Sequence, residues 1–275
     1  MIFEDKDISV LTGRLKDSGI TELSVEQAEK LASETGFSLK AVQWCALDNG
    51  IVPLRYKRNI GTLGIDGQKM LLESTVIVCG LGGLGGNIAE QCARSGVGTI
   101  IGVDYDVFDA TNLNRQILSA NDNLGEKKAD QAKKRVQKIN PAVDFRACGC
   151  KFNELEESDW ESADVIFDCL DNIPERLILA EKCAAYELPL IHGAIAGWYG
   201  QVAVVYPGST ILEMIYKGQK SGIEDETGTP AFTAAATASI MAAKGIKILA
   251  GKESEKKGRI LFFDLLDDDW QTIDL

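Results

Sequence analysis

The sequence has few of the residues that support metal or disulfide chemistry. It contains seven cysteines and a single histidine, His192, and no two cysteines are spaced as Cys-x-x-Cys. An odd number of cysteines without paired spacing does not indicate a disulfide framework and favours reduced, mostly buried thiols. Structural zinc sites use paired cysteine and histidine ligands, so no zinc site is expected.

Basic residues are also in deficit. Lys and Arg number 29 against 41 Asp and Glu, which gives a formal net charge of −12. General binding to nucleic acid or to an acidic membrane needs a basic surface, so neither partner is predicted. A local basic pocket for phosphates is still compatible with this balance.

Long apolar runs are missing too. No run of about 18 consecutive apolar residues occurs, so no transmembrane helix is expected. The first residues, MIFEDKDISV, have neither the positively charged segment nor the apolar segment of a signal peptide. The sequence therefore predicts a cytoplasmic protein with no membrane partner.

What the chain does contain is an alternation of short apolar runs and helix-forming segments. Its 275 residues are enough for one large α/β domain and a small appendage. We predict a Rossmann-like, mostly parallel sheet flanked by helices over residues 53–275. A small helical N-terminal extension is predicted over residues 1–52.

Two helices are predicted in the extension, with Ser24 and Ser38 as their N-caps. The helix–glycine–helix order resembles a DNA-binding helix-turn-helix. However, the second helix offers only Lys40 as a basic contact, so an appendage that packs on the main domain or covers it is the favoured interpretation.

The segment from residue 74 onward has the pattern of one β-α-β unit. The apolar run Thr75–Cys79 predicts a strand, a glycine-rich turn follows it, and a second strand is predicted at Thr99–Val103. Residues 193–200 are glycine-rich, residues 208–230 are predicted to be a mobile loop, and the tail is acidic. Further strands are predicted at 143–148, 164–169, 188–192, 201–206 and 259–265, and helices at 87–95, 127–138, 174–186 and 232–250.

The turn after the first of these strands has the spacing Gly80-x-Gly82-x-x-Gly85. Between a strand and a helix this spacing is typical of nucleotide-binding turns, because glycines let backbone N–H groups approach phosphate at the helix N-terminus. Asp104 ends the next strand about 20 residues later, where a carboxylate can accept hydrogen bonds from a ribose. The turn alone leaves NAD, FAD, ATP and a ligand-free tight turn open.

Amide and cationic side chains follow Asp104 closely, among them Asn112, Arg115, Lys127 and Lys128. An arginine and a lysine here can neutralise the phosphates of a triphosphate, whereas a dehydrogenase needs no such cluster. No Gly-x-x-x-x-Gly-Lys-Ser/Thr loop occurs, so a P-loop enzyme is not indicated. Asp171 follows a predicted strand and is a candidate Mg²⁺ ligand, with a helix N-cap as the alternative.

Several motifs with a common spacing extend over about residues 53–266. They are Arg55-Tyr56-x-Arg58, Gly80-Leu-Gly-Gly-Leu-Gly85, Asp104-x-Asp106, Asn112-Leu-Asn-Arg-Gln116, Gly125-x-Lys127-Lys128 and Asp168-Cys-Leu-Asp-Asn172. Together they resemble the ThiF/MoeB/HesA family, the bacterial and archaeal relatives of ubiquitin-activating enzymes. The resemblance implies a homodimeric adenylyltransferase that uses ATP and Mg²⁺. Its substrate would be the C-terminal Gly-Gly carboxylate of a ubiquitin-like sulfur-carrier protein, in thiamine, molybdenum or tungsten cofactor or related sulfur-transfer biosynthesis.

The resemblance also implies residue roles. Asp104 would hold the ribose, and Arg58 would be donated across the dimer to the triphosphate of the other subunit. Lys128 is preferred over Lys127 because it keeps the family spacing after Gly125. The implied catalytic residues are Arg58, Arg115, Lys128 and the Mg²⁺ ligand Asp171. The implied nucleotide-binding residues are Gly82, Gly83, Leu84, Gly85, Asp104, Asp106, Asn112, Arg115, Lys128, Asp171 and Asn172.

Some family features are absent from this sequence. Many members bind zinc through two Cys-x-x-Cys pairs, and several carry a cysteine in the crossover loop, which here is 222–230 and has none. By this comparison the enzyme is expected to stop at the acyl-adenylate. His192 is expected to be a packed histidine at a sheet end rather than a catalytic group.

Three other functions are considered. One is a related dehydratase that adenylates a small-molecule carboxylate, the threonylcarbamoyl-adenosine of tRNA; the acidic charge and the Asp168–Asn172 match count against it. An NAD-dependent oxidoreductase would leave Arg58, Arg115 and Lys128 unexplained. A non-catalytic binding scaffold is disfavoured by the intact polar set.

Overall fold

The structure of the chain is a computed structural model that describes residues 8–219, 222–252 and 258–274. Its helices are α1 (Ser9–Asp17), α2 (Val25–Thr35), α3 (Leu39–Asp48), α4 (Ile60–Glu73), α5 (Gly83–Ser95), α6 (Lys128–Ile139), α7 (Glu157–Glu161), α8 (Ile173–Ala185), α9 (Ile211–Ile215), α10 (Glu224–Thr227) and α11 (Ala231–Leu249). Its strands are β1 (Glu22–Leu23), β2 (Val52–Pro53), β3 (Thr75–Cys79), β4 (Thr99–Val103), β5 (Asp144–Cys148), β6 (Val165–Asp168), β7 (Leu190–Ala196), β8 (Tyr199–Val205), β9 (Arg259–Asp264) and β10 (Asp269–Asp274).

One eight-stranded sheet organises the main domain, in the order β10-β9-β8-β7-β6-β3-β4-β5. The five strands from β7 to β5 run parallel to their neighbours, whereas β8, β9 and β10 pair antiparallel. The predicted α/β class with a Rossmann-like, mostly parallel sheet flanked by helices is therefore confirmed.

Both faces of the sheet are covered by helices. On one face α5, α6 and α11 bury side chains such as Ile88, Val136 and Met241 against the strands. On the other face α7, α8 and α9 bury Trp160 and Leu179. A parallel strand buried on both faces is apolar along its whole length. For this reason the sequence predicted the first and last residues of β3 and β4 correctly.

The N-terminal extension forms its own small apolar cluster, which includes Leu11, Val42 and Cys45, and its helix α3 packs against α4. The predicted N-caps are confirmed: Ser24 Oγ accepts a hydrogen bond from Gln27 N at 3.2 Å, and Ser38 caps α3 in the same way. Helix α1 and the short parallel pair of β1 with β2 were not predicted. The division of the chain at residue 53 stays a prediction.

The strands predicted at 188–192 and 201–206 were too short, because β7 and β8 extend through the glycine-rich segment 193–200 as a hairpin. Its glycines serve close packing. A Cβ on Gly193 would lie 2.2 Å from Met241 Sδ, and one on Gly200 would lie 2.2 Å from Phe263 Cζ. Both neighbours come from distant parts of the chain, so the sequence pattern resembled a turn.

The prediction of one loop over 208–230 was also wrong in part, because α9 and α10 lie within it; residues 220 and 221 are outside the described residues. The acidic tail forms β10, which pairs with β9 and stacks Trp270 on Phe263 at a centroid distance of 4.8 Å. The charged residues of this edge strand gave the tail an acidic composition, so the sequence did not predict a strand with an apolar contact there.

Helix α11 is long and apolar enough to cross a membrane, judged by length and composition alone. In the structure it packs against α5 and along β7 and β8. Its side chains Ala234, Ala238 and Met241 are fully buried in the main core. Packing inside the domain accounts for the apolar composition of this helix.

We expect Gly98→Ala to destabilise the fold, because a Cβ at this position would lie 1.8 Å from the backbone oxygen of Leu72. Relief requires the end of α4 to move away from the start of β4, at a cost of about 1–3 kcal/mol. Urea unfolding measures the change as a lower midpoint. The control is Gly13→Ala in α1, where a Cβ meets nothing within 4 Å. Equal midpoints for the two variants would contradict the prediction.

Candidate active site

A cleft opens at the carboxyl ends of β3, β4 and β6. Strand β3 lies between β4 and β6 in the sheet, so the chain leaves β3 toward one side and reaches β6 on the other. Ligands of open α/β sheets bind at such a switch point. The cleft is lined by Cys79, Gly80, Gly82, Gly83, Leu84, Val103, Asp104, Tyr105, Asp106, Arg115, Gln116, Lys128, Cys150, Lys151, Phe152, Cys169, Leu170, Asp171, Glu175, Arg176, Ile195 and Thr229.

The glycine-rich turn forms one wall of this cleft. Gly80 has a φ of +91°, and a Cβ there would lie 2.6 Å from the Cys169 oxygen. A Cβ on Gly85 would lie 1.8 Å from the oxygen of Gly80, so Gly85 serves the contact of helix with strand and does not line the cleft. Gly82 and Gly83 do line it, and within the described residues no side chain caps the N-terminus of α5. The first N–H groups of this helix therefore face the cleft as an anion-binding site.

Asp104 fixes this turn. Its Oδ2 accepts a hydrogen bond from Leu81 N at 2.7 Å, and its Oδ1 accepts one from Asp106 N at 2.9 Å. The side chain is almost fully buried, and burial raises the pKa of Asp104, although the Leu81 hydrogen bond and the charge of Lys128 oppose the shift. Each carboxylate oxygen has a second lone pair for a ligand. The predicted ribose contact is compatible with this geometry, and the structural role was not foreseen.

Lys128 and Asp106 form an ion pair at the mouth of the cleft, with Nζ 3.0 Å from Oδ2. The lysine side chain is 9% exposed and the aspartate side chain 49%. Lys127, the neighbouring candidate, is exposed and does not line the cleft. The geometry therefore favours Lys128, as the spacing after Gly125 predicted.

Arg115 reaches the cleft beside the glycine turn. Its guanidinium donates to the Thr111 carbonyl at 3.0 Å and to Asn114 Oδ1 at 2.8 Å. Next to it, Gln116 is buried against Gly82, and among the described residues its Oε1 has no hydrogen-bond partner. A buried acceptor without a donor is costly. The described residues leave this polar atom beside Gly82 unsatisfied.

Besides Gly85, three of the predicted site residues do not line the cleft. Asn112 is buried and accepts a hydrogen bond from Asp109 N at 3.2 Å. Asn172 caps α8 by accepting from Glu175 N at 2.9 Å. Arg58 is exposed and lies outside the cleft lining of its own chain. Their roles in nucleotide binding or catalysis stay predictions.

Asp171 is exposed and lines both this cleft and a second cavity. The alternative interpretation of Asp171 as a helix cap is wrong, because Asn172 is the N-cap of α8. The second cavity shares Asp171, Arg176 and Ile195 with the cleft. Its other lining residues are Ile173, Ala194, Ala196, Tyr199, Gly200, Gln201, Ile215, Tyr216, Gln219, Gly222, Ile223 and Phe262.

Sequence reasoning missed Tyr105, Lys151, Glu175 and Arg176. Lys151 Nζ lies 3.4 Å from Glu175 Oε1 and 5.5 Å from the centroid of the Tyr105 ring. No motif marked Lys151 or Glu175, because their proximity depends on which strands are neighbours. Arg176 could have been noticed, since it lies four residues after Asn172, one helical turn along α8.

His192 is fully buried, as expected, with Nδ1 2.7 Å from Asp168 Oδ2. Burial lowers the pKa of His192, so the imidazole is neutral at pH 7. Burial alone would raise the pKa of Asp168, but the His192 hydrogen bond and the charge of Arg176 bring it below its usual value. The pair is therefore an ionised carboxylate that accepts a hydrogen bond from a neutral ring.

The chain is similar to known proteins over most of its length. The ThiF family model matches residues 56–275. The chain is 31% identical over 226 residues to the SAMP-activating enzyme E1 of Haloferax volcanii, covering 80% of this chain and 84% of that protein. It is also 31% identical over 221 residues to the molybdopterin-synthase adenylyltransferase of Escherichia coli, covering 78% and 88% of the two chains.

Among solved structures, that of E. coli MccB with ATP matches with a TM-score of 0.67 at 20% identity, over 90% of this chain and 82% of that one. At this level of identity the likeness concerns the fold. The family match and the sequence relatives go further: this chain belongs to the ThiF family.

Proposed function

We propose that the protein is an ATP-dependent adenylyltransferase that activates the C-terminal Gly-Gly carboxylate of a ubiquitin-like sulfur-carrier protein. The observation that carries this proposal is the junction at Asp171, where a cleft with an uncapped helix N-terminus and two cations meets a second, largely apolar cavity. Its relatives include proteins named molybdopterin-synthase adenylyltransferase and sulfur carrier protein ThiS adenylyltransferase. Their pathways make molybdenum cofactor and thiamine biosynthesis the first candidates here.

The charges of the cleft support a metal-bound triphosphate as its ligand. Four basic side chains line the cleft (Arg115, Lys128, Lys151 and Arg176) and four acidic ones do (Asp104, Asp106, Asp171 and Glu175). The lining is thus close to neutral and does not by itself balance the charge of ATP. A divalent cation bound with the nucleotide reduces this negative charge by two units.

Asp171 is the side chain that would hold this Mg²⁺, because it is exposed at the junction and its carboxylate does not cap α8. Among residues 8–219, 222–252 and 258–274 no cluster of three or more metal-binding side chains occurs. One carboxylate fits Mg²⁺, which is usually bound by one or two carboxylates together with substrate phosphates. The metal would supply charge neutralisation at the phosphates.

The reaction requires alignment more than acid–base chemistry. A carboxylate oxygen of the carrier attacks the α-phosphorus, and the bond from that phosphorus to the β-phosphate oxygen breaks, so that pyrophosphate leaves with the electron pair. The carboxylate is already ionised at pH 7, so no general base is needed. Arg115 and Lys128 offset the charge that develops on pyrophosphate. For this, Lys128 exchanges Asp106 for a phosphate oxygen.

The second cavity fits a chain end without side chains. Small residues, Ala194, Ala196 and Gly200, form part of its wall, and Ile215 and Phe262 add apolar surface. These small wall residues leave room for the backbone of an extended Gly-Gly segment. The carboxylate at its end would meet the nucleotide at the junction.

The homodimer is part of the same proposal. Arg58 is exposed on the surface and absent from the cleft lining of its own chain, which supports a role at the phosphates of another subunit. A two-fold dimer would give each cleft one such arginine from its partner.

We expect carrier-dependent exchange of labelled pyrophosphate into ATP, and we expect Arg115→Ala to lower its rate about 10²-fold through lost charge stabilisation. Arg14→Ala is the control, because Arg14 is an exposed arginine of α1 paired with Glu34 far from the cleft. Exchange that is absent with every Gly-Gly-ended carrier, or unaffected by Arg115→Ala, would refute the proposed function.

The position of Arg58 is tested by mixing inactive subunits. Arg58→Ala and Lys128→Ala homodimers are each expected to be inactive, whereas mixed dimers contain one cleft with both wild-type residues. An equal mixture should therefore recover about one quarter of wild-type exchange. If Arg58 acted on its own cleft, mixing would restore nothing.

A further inference from the structure

A closed ring of hydrogen bonds surrounds the residue before Asp171. Asp168 Oδ2 lies 2.7 Å from His192 Nδ1, and His192 Nε2 lies 3.1 Å from the Tyr216 hydroxyl. Arg176 donates to that hydroxyl at 2.7 Å and to the Leu170 carbonyl at 2.6 Å. Leu170 N donates back to Asp168 Oδ1 at 3.1 Å, which completes the ring.

The ring has two arms, and each runs from the donor Arg176 to the acceptor Asp168. The ionised Asp168 only accepts, so His192 donates from Nδ1 and its Nε2 accepts from Tyr216. The Tyr216 oxygen in turn accepts from Arg176, so each hydrogen bond has one donor and one acceptor. Four side chains that are buried, and two of them fully, have matched partners. A buried network whose hydrogen bonds are each made by a donor and an acceptor holds these groups in one geometry.

The backbone of Leu170 is held from both sides by this ring. Its N–H is bound by a carboxylate and its C=O by a guanidinium. Asp171 follows directly in the chain, and no ring residue other than Leu170 and Arg176 lines the nucleotide cleft. The ring therefore fixes the backbone that carries the Asp171 side chain. Asp168, His192 and Tyr216 do this without lining the cleft themselves.

We infer that Tyr216, His192 and Arg176 are positioning residues for Asp171, and that this network holds Asp171 in the orientation that binds the metal of the nucleotide. The inference rests on the proposed function, because it takes Asp171 as the metal ligand. Residues that hydrogen-bond to a metal ligand without touching the metal often matter as well. Removing one of them commonly lowers metal affinity or activity about 10–100-fold.

Tyr216 also connects the ring to the second cavity. Its hydroxyl accepts from Gln201 Nε2 at 3.3 Å, and both side chains line that cavity. A carrier tail seated there contacts the same hydroxyl that Arg176 and His192 use. Seating of the tail and orientation of Asp171 are thereby linked through one atom.

Tyr216→Phe tests the inference by removing that atom and keeping the ring that packs in the core. Binding of Mn²⁺ in the presence of a non-hydrolysable ATP analogue, followed by electron paramagnetic resonance, should be about tenfold weaker than in the wild type. Nucleotide binding without metal should be unchanged. Amide hydrogen exchange at Leu170 should be faster, because its N–H partner Asp168 loses its fixed place.

Tyr186→Phe is the matched control, since Tyr186 stacks on Trp160 at 5.9 Å and lines neither cavity. Arg176→Lys, which keeps the charge but cannot bridge two acceptors in the same geometry, should weaken Mn²⁺ binding as Tyr216→Phe does. Mn²⁺ affinity equal to that of the control in both ring variants would overturn the inference.

Asp171→Asn separates this inference from the proposed function. Loss of Mn²⁺ binding in Asp171→Asn but not in Tyr216→Phe would leave the metal assignment intact and refute the ring. If Asp171→Asn bound Mn²⁺ as the wild type does, the metal assignment and this inference would both fail. The adenylyltransferase proposal is tested separately, by carrier-dependent exchange of pyrophosphate into ATP in the wild type.

Discussion

The buried carboxylate of Asp104 is the contact on which the cleft depends. It accepts hydrogen bonds from two backbone amides, one in the glycine turn after β3 and one just beyond β4. These bonds hold together the ends of two neighbouring strands, where the chain would otherwise lose the support of the sheet. The N-terminus of α5 and the Lys128–Asp106 pair take their places from this junction, so the cleft is formed before any ligand enters.

Much of the fold was predictable because the central strands are buried on both faces. Thr75–Cys79 and Thr99–Val103 are continuous apolar runs ended by turn residues, and their short length and β-branched residues favour strands over helices. The antiparallel half of the sheet was harder to predict. Gly193 and Gly200 are small because Met241 and Phe263 pack over them, a reason that lies in tertiary structure and not in the local sequence.

The residues of the candidate site likewise fall into those that a local motif predicts and those that only the tertiary structure brings together. Gly82, Asp104 and Arg115 belong to motifs whose spacing fixes their position relative to one strand end, and the structure brings them to one cleft. Lys151 and Tyr216 carry no such signal, because they reach the site from segments that only the strand order makes neighbours. Asn112 and Asn172 show the converse. They belong to recognised motifs, yet their side chains form backbone caps at the cleft edge.

The Lys128–Asp106 and Asp168–His192 contacts differ in how easily each can be broken. The Lys128–Asp106 pair has one partner half exposed, so water can replace either contact and the lysine can exchange its carboxylate for a phosphate at little cost. The Asp168–His192 pair is fully buried, and breaking it would leave an uncompensated charge in the core. In the proposed reaction, Lys128 is thus a cation that can move to a phosphate, and the Asp168–His192 pair is a fixed contact behind Asp171. That division suits a reaction in which charge must shift while the reacting atoms stay aligned.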